Sequence, residues 1–236
     1  MSKICWCVVL AAGESKRFIE AGYATPKPLL QIRSRDGIPN TMLGHVCATI
    51  PDHCNTIIAL SRFLQKPSNV EGSSFSIGRS IGQADTLFQV VKNLPPDDHV
   101  LALDCDTILR REDLQVLIDK LKDHVATVAI TENVLDGNMS RVDSNINPQI
   151  FVEKQFISHW AVIGARGFHN TGYLTEVLRT YITHCKMTEQ EPYLTPAMNL
   201  YEGIKYAHVI RSLDWQDWGT PNRIISSLAV ILDGKV

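Results

Sequence analysis

Residues 8–30 read VVLAAGESKRFIEAGYATPKPLL, and the reading of this stretch decides the fold. The apolar run that enters it, from Ile4 to Leu10, is long enough for a buried strand and too short for a bilayer. It breaks into Ala11, Ala12 and Gly13, small residues that let backbone approach a ligand closely. Arg17 follows in the same loop, and Lys27 stands between Pro26 and Pro28, where the rings stiffen the chain. Two cations beside a strand-end glycine turn suit a polyphosphate. Successive loop N–H groups make an anion-binding concavity, and Arg and Lys add charge. Two other glycine loops are excluded. Glu14, Ser15 and Lys16 break a G-x-G-x-x-G fingerprint, and no second Gly followed by Lys and Ser or Thr completes a P-loop.

Working outward, the chain alternates strand and helix patterns. Asn40-Thr41 opens a helix through Val46 and Ile50 that Pro51 ends, and Asn55 to Leu60 reads as a second buried strand. Lys66 to Ser80, rich in Pro, Ser and Gly, reads as an exposed loop. Gly82-Gln83 leads into a helix with Leu87, Val90, Val91 and Leu94 on one face, closed by Pro95-Pro96. Val100 to Leu103 is a third strand, followed by a helix from Glu112 to about Asp123 and a fourth strand at Val125–Thr131. This alternation predicts an α/β fold with a mostly parallel sheet sandwiched by helices. Beyond it, the polar segment 132–148 reads as a hairpin or loop insertion. Strands follow at Ile150–Val152 and Trp160–Gly164, helices at Leu174–Cys185 and Pro192–Tyr201, and a last strand at His208–Ile210. A C-terminal helix carries Ile224, Ile225 and Leu228.

The third strand delivers Asp104-Cys105-Asp106 at its carboxyl end, where open α/β sheets bind ligands. Strand alternation points both carboxylates to one side, and hard oxygen donors of this kind hold Mg²⁺ against substrate phosphates.

The totals set limits. At 236 residues the chain can bury a full core as one domain. Its 23 basic and 25 acidic residues give a net charge of −2, which excludes the electrostatic footprint of a nucleic-acid binder and makes phosphate binding a local matter. No apolar run approaches a membrane span. The six cysteines have neither a disulfide framework nor paired zinc spacing, so Cys5 and Cys7 read as buried free thiols and the protein as reduced and cytoplasmic.

The string from Leu10 to Leu30 resembles the signature L-A-A/G-G-x-x-x-R-F/L…P-K-P-L of the nucleotidyltransferases, the pyrophosphorylase family that makes activated sugars and related head groups. The resemblance extends in motif order to Trp215-Gln216-Asp217-Trp218-Gly219-Thr220-Pro221, and is weakest over 132–148. It implies a single Rossmann-like (GT-A-like) domain, with an NTP-binding part at about 1–131 and an acceptor-binding part at about 132–236. Leu10, Ala11, Ala12, Gly13, Gly82, Gln83 and Asp104 would contact the nucleotide. Asp106 and Asp217 would hold Mg²⁺, and Arg17, Lys27 and Lys154 would act on the phosphates. The one departure is Ser15, where many members have a second glycine.

The implied reaction transfers NMP from an NTP to a phosphorylated small molecule or sugar phosphate and releases pyrophosphate. The L-A-A-G-E-S variant leans towards CTP, as in cytidylyltransferases of capsule or phospholipid-head-group pathways. A homodimer is the assembly compatible with the resemblance. Trp160, Trp215 and Trp218 read as core aromatics in preference to a quaternary-ammonium cage. A glycosyltransferase using Asp104-Cys105-Asp106 as a D-x-D motif, or an idle nucleotide-binding module, are the rival readings. The first would not need the Arg17 and Lys27 loop, and the second would not need both metal carboxylates.

Overall fold

The computed structural model describes residues 3–132, 136–137, 139–143 and 149–233. In chain order it comprises β1 (Cys5–Ala11), α1 (Lys16–Glu20), β2 (Gln31–Arg33), β3 (Pro39–Thr41), α2 (Met42–Cys47), β4 (Asn55–Ser61), β5 (Ser73–Ile77) and α3 (Gln83–Val91). Next come β6 (His99–Asp104), β7 (Thr107–Ile108), α4 (Arg111–Lys120), β8 (Ala126–Thr131), β9 (Arg141–Asp143), β10 (Ile150–Val152), β11 (Ala161–Phe168) and α5 (Thr171–Met187). The chain closes with α6 (Leu194–Ala197), β12 (Lys205–Val209), β13 (Gln216–Asp217), α7 (Pro221–Ser226) and β14 (Val230–Ile231).

The main sheet is mostly parallel. β1 lies at its centre, parallel to β4 and β6, and β4 is parallel to β5. β11 enters antiparallel between β6 and β8, and β12 is parallel to β8. Among the described residues, β11 and β10 are the strands of this sheet that run against the common direction. Because strand side chains alternate, β1 feeds two cores. Val8 and Leu10 pack with Leu87, Val90 and Val91 of α3 and Leu174, Leu178 and Ile182 of α5. Cys7, Val9 and Ala11 pack with Leu43 and Val46 of α2 and Leu114 and Leu117 of α4. Helices therefore cover both faces, as the alternating pattern predicts. Each fully buried Leu or Val contributes about 1.5–3 kcal/mol against leaving it exposed.

Three expectations are corrected. The stretch 66–80 is not all loop, since Ser73–Ile77 extends the sheet as its edge strand β5. Serine-rich sequence hides such a strand, because its backbone pairs with β4 while only Phe75 and Ile77 reach the core. The helix expected over Pro192–Tyr201 is α6 followed by a short 3-10 turn at Met198–Leu200. On the C-terminal helix, Ile224 is buried but Ile225 is exposed, and Leu228 lies past its end. The polar stretch 132–148 does contain half a hairpin: β9 pairs antiparallel with β10, while Asn138, Asn145 and Asn147 lie outside the described residues.

Candidate active site

The parallel strands β1, β4 and β6 end on one side of the sheet, and a cleft of about 640 Å³ opens there. Its volume falls within the range of ordinary small-molecule sites. Leu10, Ala12, Gly13, Arg17, Lys27, Gly82, Gln83, Asp104 and Asp106 all line it. Ala11 points the other way, fully buried in the α2/α4 core, so its side chain cannot touch a ligand there. The loop after β1 turns through Ser15, whose φ of 59° is left-handed. That conformation normally selects glycine. Here Ser15 is retained with a use: its Oγ accepts the Lys27 backbone N–H at 2.9 Å, tying the Pro26-Lys27-Pro28 segment to the loop.

Lys27 Nζ donates to Asp106 Oδ2 at 2.7 Å, deep in the cleft. Burial works against the Lys27 charge, but Asp106 outweighs it and the ammonium is held above its ordinary range. Burial likewise pushes the Asp106 carboxyl up, and the Lys27 charge and hydrogen bond more than reverse this, leaving it below the usual carboxylate range. Arg17 stands exposed at the cleft edge and adds to the same lowering of Asp106.

Asp217 reaches this point from more than a hundred residues away through a two-strand ribbon. β13 pairs with β7 so that Asp217 lies opposite Thr107, next to Asp106. The Trp218 N–H then donates to the Asp106 carbonyl at 2.7 Å. Asp217 accepts the Gly219 N–H at 2.8 Å and Arg223 Nη1 at 2.6 Å, and Arg223 also binds Asp136. Burial, and then the charge of Asp106, raise the Asp217 carboxyl to about 6. A Cβ on Gly219 would sit 3.0 Å from Asp217 Oδ1 and 3.4 Å from Asp106 Oδ2. The missing side chain thus leaves a gap flanked by two half-buried carboxylates of like charge. That donor set fits a hard divalent cation, which takes oxygen ligands and would relieve the repulsion between them.

Asp104, the last residue of β6, is held by Gln83 Nε2 at 3.0 Å and Arg166 Nη1 at 3.0 Å. Arg166 Nε also donates to Thr195 Oγ1 at 2.9 Å. Burial raises the Asp104 carboxyl and Arg166 opposes the rise. Gly82 has a packing reason of its own, since a Cβ there would meet the Pro192 carbonyl oxygen at 2.8 Å. Lys154 does not line the cleft. It adopts a φ of 53°, and its Nζ donates to the Tyr193 hydroxyl, which donates to Glu191 on the cleft wall. The three tryptophans Trp160, Trp215 and Trp218 belong to three separate apolar clusters and form no cage.

Sequence reading missed Arg166, Arg223 and Glu191. Arg166 had a signal: it is the lone charge in the otherwise apolar or glycine strand AVIGARGF, and a charge in a buried strand requires a partner. Nothing in the sequence around Arg223 or Glu191 marks them.

The family model of the MobA-like NTP transferase domain matches residues 7–167, a span that holds the glycine loop, Lys27, Asp104 and Asp106. The chain belongs to this family. It is a nucleotidyltransferase, and the family generally uses divalent metal ions. Among solved structures, the nucleoside-diphosphate-sugar pyrophosphorylase of Vibrio cholerae RC9 is similar at a TM-score of 0.75 and 17% identity, covering 94% of this chain and 99% of that one. A putative glucose-1-phosphate thymidylyltransferase of Bacillus anthracis is similar at a TM-score of 0.69 and 17% identity, covering 94% and 93%. The UTP-bound UGPase of Acinetobacter baumannii is similar at 0.69 and 14% identity, covering 95% and 92%. At these identities the likeness shows the shared fold. No curated protein matches the chain. No helix among the described residues is long and apolar enough to cross a membrane.

Proposed function

We propose that this nucleotidyltransferase moves a nucleoside monophosphate from a pyrimidine triphosphate, CTP by its loop variant, to a phosphorylated small molecule. The observation that carries the reading is the meeting of Lys27, Asp106 and Asp217 beside the open glycine loop. An acceptor phosphate oxygen attacks the α-phosphorus, the α–β bridging P–O bond breaks, and pyrophosphate leaves with that electron pair. A phosphate nucleophile is already ionised near neutral pH, so the protein needs no general base. Its work is alignment and charge placement.

Gly13 leaves the loop backbone open to the triphosphate, and Arg17 at the cleft edge neutralises the outer phosphates. Lys27, held beside Asp106, faces charge that builds on the α-phosphoryl group. Asp106 and Asp217 are the residues that would hold Mg²⁺, which when bound supplies positive charge to the phosphate oxygens. Gly82 and Gln83 stand at the base end, with Gln83 fixed by Asp104. Residues 1–131 form the nucleotide side and 132–236 the acceptor side, where Lys154 reaches the cleft wall through Tyr193 and Glu191. The names of the similar folds, one UTP-bound and one a thymidylyltransferase, support a pyrimidine base.

The test is pyrophosphate release with Mg²⁺, offering CTP, UTP, dTTP, GTP and ATP in turn against a panel of phosphorylated acceptors. Release with CTP and one acceptor class is expected. Preferential use of UTP or dTTP would replace the nucleotide assignment, and purine preference would overturn the pyrimidine reading. Turnover of a nucleotide sugar with no pyrophosphate release would overturn the reaction itself.

A further inference from the structure

β1 carries a different chemistry at its amino end. Cys5 and Cys7 alternate onto the same face as Val9 and Ala11. Parallel pairing sets Trp6 opposite Asn55 and Cys7 opposite Thr56, which brings Cys54, the residue before β4, alongside Cys5. The three sulfur atoms lie within 4.8 Å of one another. Cys5 and Cys7 are buried and Cys54 is half-buried. The ring of His53, exposed at the surface, places Nε2 3.7 Å from Cys54 Sγ. At about 3.3 Å per strand residue, Cys7 stands roughly 20 Å from Gly13, so this cluster is separate from the catalytic cleft.

Isolated buried cysteines need no ligand to explain them, but three whose sulfurs converge make a donor set, and the His53 imidazole, next to Cys54 and outside the group itself, is the nearest fourth donor. A hollow of about 530 Å³ lined by Pro51, Asp52, His53, Arg111, Glu112 and Gln115 opens on the His53 side of the cluster. We propose that Cys5, Cys7, Cys54 and His53 bind a thiophilic divalent cation of the zinc type. Three thiolates and one imidazole complete a tetrahedral shell with no open position, which marks a structural site. Zn–S bonds of about 2.3 Å in a tetrahedron separate the sulfurs by about 3.8 Å, so the cluster closes by about 1 Å at most. Cys5 and Cys7 are fixed on the central strand, so the adjustment falls to Cys54 and His53, which stand on the loop into β4. Binding releases the thiol protons as the thiolates form, and it stabilises the fold by linkage.

The experiment is a titration of the reduced full chain with Co²⁺ and then Zn²⁺. One equivalent of Co²⁺ is expected to give thiolate-to-cobalt charge-transfer absorption and the intense visible bands of tetrahedral cobalt, both lost when Zn²⁺ displaces it. Zn²⁺ should also raise the melting temperature. Cys54→Ser should abolish the absorption, His53→Ala should weaken Co²⁺ binding by at least about 10-fold, and Cys185→Ser, on α5 and outside the thiol cluster, should leave the absorption unchanged. Absence of the thiolate band in the unmutated protein, or a band that survives Cys54→Ser, would overturn the site. Circular dichroism checks folding, and should Cys54→Ser not fold, the surface variant His53→Ala decides: an unchanged Co²⁺ affinity in it would overturn the site.

Discussion

At the carboxyl end of β1 the chain gathers carboxylates and cations, and at the amino end of the same strand it gathers thiols. The carboxyl end is built from loops. Parallel strands stop there together, so the turns that follow carry free N–H groups and polar side chains that face one cleft. Three ion pairs hold its inner charges: Lys27 on Asp106, Arg223 on Asp217, Arg166 on Asp104. The amino end is built largely from strand side chains. Cys5 and Cys7 are buried by the sheet's own packing, and neither needs a counter-charge. One end is a polar network with high stakes if a partner is lost, and the other is part of the apolar core.

The sharpest way to break this contrast is Arg166→Ala. It leaves Asp104, half-buried on the cleft wall, without its guanidinium, and the cost should lie between about 1 kcal/mol, as for a surface pair, and about 3–5 kcal/mol, as for a fully buried one. Urea unfolding should show a loss of that size, with Arg166→Lys recovering part of it. A loss below about 1 kcal/mol, the level of a surface pair, would mean that water reaches Asp104 and the pair does not organise the cleft. Next comes Lys27→Ala, expected to lower turnover by about 10²–10³, as removal of one preorganised donor does. Cys54→Ser, at the other end, should leave turnover near normal, since the two sites share no partner. If both variants lowered turnover alike, the two ends would be coupled and the division would be wrong.

The contrast also explains which parts were legible in the sequence. Val8 to Leu30 could be read because strand, glycine turn, Arg17 and Lys27 follow one another in one short stretch of sequence, although Arg17 stands on α1 and Lys27 opens a 3-10 turn beyond it. Asp104-Cys105-Asp106 could be read because a buried strand ends on it. Arg223 could not, because its meeting with Asp217 and Asp136 depends on how α7 packs against the β7–β13 ribbon. The thiol cluster could not be read for a related reason. Zinc spacing is a rule about ligands near one another in sequence, whereas Cys54 reaches Cys5 through strand register. β5 was hidden differently, its serines being poor strand formers that an edge position tolerates.

A smaller perturbation sharpens the carboxyl end alone. Gly219→Ala would place a methyl group 3.0 Å from Asp217 Oδ1 and 3.4 Å from Asp106 Oδ2. The backbone there is not left-handed, so the fold should hold, while the gap between the carboxylates is filled. The expected outcome is a rise of about 10–100-fold in the Mg²⁺ concentration for half-maximal turnover, the effect typical of disturbing a metal's immediate surroundings. An unchanged Mg²⁺ requirement would place the cation elsewhere.

The smallest expected effect concerns the wall behind Asp217. His45 on α2 donates Nε2 to the Ile32 carbonyl at 2.9 Å and meets the buried Trp218 ring edge-on at 5.1 Å between centroids. Burial lowers its pKa below the ordinary 6.5, and the carbonyl bond opposes this only in part. The unfolded chain therefore takes up a proton near pH 6.5 while the folded chain still resists it. Between those two pKa values the unfolded state binds more protons, so stability rises with pH through the window. His45 thus contributes stability that is fully present above 6.5 and is lost as pH falls towards the folded value. His99 and His169 are lowered in the same direction, so the wild-type profile alone does not isolate His45. Comparison with His45→Gln, whose amide can still donate to Ile32, does: the acid-side loss of stability should be shallower in the variant. Identical slopes in the two proteins would show that the imidazole under Trp218 takes its proton without opening the wall.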